Sequence, residues 1–143
     1  MRAAMSSRDP RRGSALIEFS IVALLLFMLI FTIFEIDRLL LVMTALADST
    51  RAGTRYAIVH GSDNAATATQ IKDVIRDFAS TGLLDTSRLT IPDPTYTACG
   101  TCTTNKDPGS KVFIRVTYVY DPFTTYFPLS INLGSSSQGI ITY

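Results

Sequence analysis

Few side chains in this sequence are equipped for chemistry. It contains a single histidine, His60, and two cysteines, Cys99 and Cys102, held in one Cys-Gly-Thr-Cys loop. A structural zinc site takes four Cys or His ligands, more than these three residues supply, so no metal is expected. A redox-active Cys-x-x-Cys belongs at a helix N-terminus in a βαβ context, whereas this one follows an extended Thr-rich stretch. The pair therefore reads as structural, either free thiols or, in an oxidising compartment, a short-loop disulfide between Cys99 and Cys102. No glycine-rich phosphate loop and no carboxylate pair suited to a cleft occurs. Gly134-Ser135-Ser136-Ser137-Gln138-Gly139 lacks the strand–turn–helix setting of a nucleophile elbow. No catalytic residue is assigned, the chain reads as not an enzyme, and no cofactor is implied.

The residue that does demand a chemical account is Glu18. It follows Arg11-Arg12-Gly13-Ser14-Ala15-Leu16-Ile17 and precedes sixteen uncharged residues, Phe19 to Phe34. At about 1.5 Å per residue those sixteen reach roughly 24 Å, short of the ~30 Å hydrocarbon thickness of a bilayer. Counting from Ser14 reaches the full span, and then Glu18 lies at the bilayer edge. A carboxylate there is costly unless a partner neutralises it. A plain anchor has no use for such a residue.

The element that positions Glu18 is a long helix. No Pro or Gly interrupts the sequence from Ser14 until Gly53, and Leu39, Met43, Leu46, Thr50, Gly53 and Ala57 recur at three- and four-residue spacing. One helix is expected over residues 14–59, its membrane half over about 14–38 and its amphipathic half beyond. The charged Glu35-Ile36-Asp37-Arg38 marks the exit from the far side of the span. His60 at the helix end reads as a C-terminal cap. Residues 1–13 form a basic leader with Arg2, Arg8, Arg11 and Arg12 against Asp9. This flank places the N-terminus in the cytoplasm and the head of residues 60–143 outside. Nothing basic follows to extend a groove, so a nucleic-acid arm is disfavoured.

The head reads as α+β. Asp63 or Asn64 is expected to cap a second helix over residues 65–80, with Ile71, Val74, Ile75, Phe78 and Ala79 as its apolar stripe. Leu89 to Thr97, broken by Pro92 and Pro94, reads as an edge or irregular strand. Lys111 to Tyr120 alternates most clearly, with Val112, Ile114, Val116, Tyr118 and Tyr120 on one face. The tail from Phe123 holds further β-formers, with Gly134–Ser137 read as a flexible break. A three- or four-stranded antiparallel sheet should pack on the amphipathic half of the long helix.

Gly13 before the helix with Glu18 five residues on resembles the cleavage-and-assembly motif of type IV pilins and pseudopilins. With the exit segment Phe34-Glu35-Ile36-Asp37-Arg38, the Arg51-Ala52-Gly53-Thr54-Arg55-Tyr56-Ala57 segment and the Val116–Phe123 strand, the chain looks like TadE-like proteins. These are the pseudopilins of tight-adherence (Flp-type) pili. The resemblance implies a membrane aspartyl prepilin peptidase that cuts between Gly13 and Ser14. It also implies that Glu18, followed by Phe19, pairs with the N-terminal amine of a neighbouring subunit. The partners would be that peptidase, other pilin or pseudopilin subunits and the pilus assembly machinery. The location would be the bacterial inner membrane, with possible entry into a surface pilus. Two features depart from the family: Ala23 stands where members often have Pro, and the Cys99/Cys102 loop does not carry over. The alternative is an unprocessed single-pass anchor with a periplasmic or extracellular partner-binding head. A secretory signal cut at Ala45-Leu46-Ala47 fits poorly, because Glu35, Asp37 and Arg38 intervene.

Overall fold

A helix of 50 residues, α1 (Pro10–Val59), carries the chain. It begins four residues before the expected Ser14, with proline in its first turn, where a missing N–H has no intrahelical partner to lose. The computed structural model describes residues 10–61, 66–102, 105–122 and 130–142, with side chains from residue 13. Most of the leader and the expected cap at Asp63 or Asn64 thus lie outside the described residues. The chain divides into two compact units between Asp37 and Arg38. The described part of the first is helix alone. The second contains the rest of α1 and everything that follows.

The second helix, α2 (Ala68–Thr81), starts later than the 65 expected. Its signal is a capping box, Thr67-Ala68-Thr69-Gln70. The Gln70 N–H donates to the Thr67 hydroxyl at 3.3 Å, and the Thr67 N–H donates to Gln70 Oε1 at 2.9 Å. Two otherwise orphaned donors are satisfied reciprocally. At its other end Gly82 is required by contact, since a Cβ there would stand 2.8 Å from the Ala45 methyl of α1. The left-handed position falls on the next residue, Leu83, at φ 62°.

A short 3-10 turn (Thr86–Arg88) leads to four strands: β1 (Leu89–Thr90), β2 (Thr95–Thr97), β3 (Lys111–Tyr120) and β4 (Ile131–Ile140). All pairings are antiparallel and all are to β3. β4 pairs along the whole of β3, from Lys111 opposite Ile140 to Tyr120 opposite Ile131. β1 and β2 share the other edge of β3, at Thr117–Tyr118 and at Lys111–Phe113, separated by the Pro92 and Pro94 segment. Proline cannot donate to a ladder, and the edge is where it is tolerated.

Gly134–Ser137 is not a break. These residues lie inside β4, opposite Ile114–Thr117. Serine and glycine are poor strand formers, but β3 offers ten consecutive pairing positions, and tertiary pairing overrides weak local preference. Small residues also suit the inner face of β4. A Cβ at Gly139 would collide with the Ile58 side chain of α1 and come within 3.3 Å of Thr54 Cγ2.

The core lies between the second half of α1, α2 and one face of the sheet. Leu46 and Ala57 of α1, Ile71, Ile75 and Ala79 of α2, and Val112, Ile114, Val116, Tyr118 and Tyr120 of β3 are buried in it. The stripe on α1 differs from expectation by one position at its start: Val42 is buried and Met43 exposed. It is also more polar, with Ser49, Thr50 and Thr54 buried. Each of these hydroxyls donates back to a carbonyl of its own helix, at 2.7 to 2.9 Å, so none is stranded.

Candidate functional site

Gly13, Ser14, Glu18 and Phe19 all lie on α1 and all are exposed. Ser14 and Glu18 are i, i+4 neighbours, which places them on one face about 6 Å apart along the axis. Gly13 sits inside the helix with open space around it, since an added Cβ would meet nothing within 4 Å. Packing therefore gives no reason for glycine there.

Among the described residues, the polar side chains along this part of α1 differ in whether they find a partner. The Ser20 hydroxyl donates to the Leu16 carbonyl at 2.7 Å, and the Thr32 hydroxyl to the Met28 carbonyl at 2.8 Å. Both are thereby compatible with a lipid environment. Glu18 makes no hydrogen bond or ion pair among the described residues. Leu16, Ile17, Phe19 and the large apolar side chains onward to Ile36 are exposed. The helix is long and apolar enough to cross a membrane, and none of its most apolar stretch is buried.

The remaining candidate residues lie in the head. Cys99 and Cys102 form a disulfide that closes a tight turn, in which the Cys102 N–H donates to the Cys99 carbonyl at 3.1 Å. The turn stands beside Gly109, whose φ of 93° only glycine adopts without strain. His60 follows the last turn of α1. Its backbone N–H donates to the Tyr56 carbonyl, its ring Nδ1 lies 2.9 Å from the same oxygen, and the imidazole stacks on the Tyr56 ring at 4.1 Å. Its role at the end of α1 is thereby structural. The sequence places Phe78 in the core, but it stands on the surface between α1 and α2. The only sequence signal for this is an apolar stripe on α2 wide enough to face two ways.

No curated protein and no solved structure matches the chain. A family model does match, over residues 13–55, from the unexplained glycine through Glu18 and well into the second half of α1. The family it describes, and the one this stretch of the chain matches, is that of the TadE-like proteins.

Proposed function

We propose that this chain is a minor pilin or pseudopilin that supports biogenesis of a tight-adherence (Flp-type) pilus. The observation that carries the reading is an unpacked Gly13 together with Glu18, which makes no ion pair among the described residues, at the start of a membrane-length helix. A glycine inside a helix costs about 1 kcal/mol relative to alanine. Here nothing in the fold requires it, whereas a peptidase that must approach the backbone does. The chain inserts with its leader in the cytoplasm, and prepilin peptidase cuts the Gly13–Ser14 bond. The new ammonium at Ser14 and the Glu18 carboxylate are each costly in lipid and tolerable as a pair. Within one chain they lie about a turn apart. Between chains the same groups join neighbouring subunits and set their axial offset.

Mass spectrometry of the membrane-extracted protein tests the first step. The expected mature chain begins at Ser14. Gly13→Leu, placed where a side chain meets nothing, should leave folding intact and accumulate a precursor that retains residues 1–13. Glu18→Ala should still insert and be cleaved but fail to support pilus assembly. A chain that keeps Met1 in a host carrying the peptidase overturns the reading and favours an unprocessed anchor.

A further inference from the structure

The apolar stripe of α2 is wider than the core it serves. Ile71, Ile75 and Ala79 are fully buried, but Phe78, one turn beyond the half-buried Val74, is 53 % exposed. It stands where two grooves between α1 and α2 meet. One, of about 570 Å³, is bounded by Arg51, Arg55, Tyr56 and Val59. The other, of about 410 Å³, is bounded by Leu41, Ala45 and Leu83. Both include Asp48 and Phe78. Leu41 to Val59 spans roughly 27 Å of helix, so the two form one long cleft. Leu83, at one end of it, is 89 % exposed.

The charges beside this apolar strip are of both signs and close together. Asp48 and Arg51 pair at 3.3 Å, with both side chains about 70 % exposed (71 % and 68 %). An i, i+3 pair this open contributes little to the stability of its own helix. Arg55, one turn on, makes no ion pair among the described residues. A surface that carries an apolar centre, an acid and a base within one turn of each other is complementary to itself. Self-complementarity is the requirement for a two-fold contact between identical chains.

We infer that the α1–α2 cleft is a dimer interface between two copies of this chain. The two-fold axis runs along the second half of α1. Phe78 of each copy enters the cleft of the other, and Asp48 of each faces Arg51 of its partner. The orientation follows from two facts. Asp48 and Arg51 lie only about 4.5 Å apart along the helix, so under a two-fold along it each acid is offset from the opposite base by less than one turn, a gap that the long Arg51 side chain spans. Copies inserted through the same apolar segment enter the membrane in the same sense, and an axis along the helix preserves that sense for both. The dimer does not depend on cleavage at Gly13, so either inference survives failure of the other.

The test uses the full chain in detergent micelles, with molar mass from light scattering and cross-linking in native membranes as readouts. Asp48→Arg and Arg51→Asp should each abolish self-association, because each leaves like charges facing across the axis. Mixing these two variants should restore a dimer of one copy of each. Phe78→Ser should weaken association at least tenfold while leaving the melting temperature unchanged, since the ring is already exposed. If that variant fails to fold, the charge exchange at exposed positions decides alone. A wild-type chain that is monomeric throughout overturns the proposal and assigns the cleft to a different protein. Charge variants that dimerise like wild type also overturn it, by placing the contact in the apolar half of α1.

Discussion

At Gly53 a side-chain carbon would collide with Ile75 of α2, and at Gly139 with Ile58 of α1, whereas at Gly13 it would meet nothing. The first two are glycines of close approach, which packing explains. For the third, packing supplies no explanation. A different residue-scale effect operates at Asp85, which caps the 3-10 turn. The Ser87 hydroxyl donates to its carboxylate at 2.7 Å and the Ser87 N–H at 3.0 Å, with Arg88 adjacent at 3.5 Å. These contacts, the hydroxyl first, hold the carboxyl below its ordinary range. A carboxyl whose folded-state value is depressed binds fewer protons in the folded chain than in the unfolded one at mildly acid pH. The stability it contributes is present above the unfolded value and is lost as pH falls through the folded one. Ser87→Ala should therefore raise the Asp85 titration midpoint, read by carboxyl NMR. The stability gap between variant and wild type should be present at neutral pH and close below the folded-state midpoint.

Among the elements, β3 was legible and β4 was not, and the difference is physical. β3 alternates Val, Ile, Val, Tyr and Tyr inward, so its register is written in its own side chains. β4 carries Gly134, Ser135, Ser136, Ser137 and Gly139, whose preferences are weak, and it becomes a strand because β3 supplies the ladder and α1 lies close above it. Gly139→Val places three extra carbons, a Cβ and its two methyls, against Ile58 and Thr54. Overpacking of this kind costs about 1–3 kcal/mol. Urea unfolding followed by circular dichroism should show a lower midpoint, and Ile58→Ala in the same chain should recover part of the loss. The start of α2 was legible in principle, since Thr67 and Gln70 stand at capping-box spacing, but the earlier Asp63 and Asn64 compete as caps in the sequence. Phe78 was not legible. Its exposure depends on how α2 crosses α1, which Gly53 and Gly82 set by contact. Gly13 and Glu18 were the opposite case: they are visible in the sequence because nothing local accounts for either.

Over the molecule as a whole, charge is distributed along the chain rather than balanced within it. The net charge is only +1, yet residues 1–13 carry Arg2, Arg8, Arg11 and Arg12 against Asp9, while eleven of the 12 acidic side chains lie beyond them. Positive flanking charge within about 15–20 residues of a span sets its orientation, and acidic residues contribute little. Under the proposed orientation, the four leader arginines supply the orienting signal. The exit segment bears one competing base, Arg38, which stands 5.3 Å over the Tyr120 ring. Replacing all four leader arginines with glutamine should leave Arg38 as the nearest base and erode the bias. A C-terminal reporter enzyme active only outside the cytoplasm should then lose most of its activity, and restoring Arg11 and Arg12 alone should recover most of it. Full reporter activity without the arginines would mean that translocation of the folded head, and not the leader, decides the orientation. In that case the basic residues next to Gly13 would serve the peptidase instead, and their removal would appear in the processing assay rather than in topology.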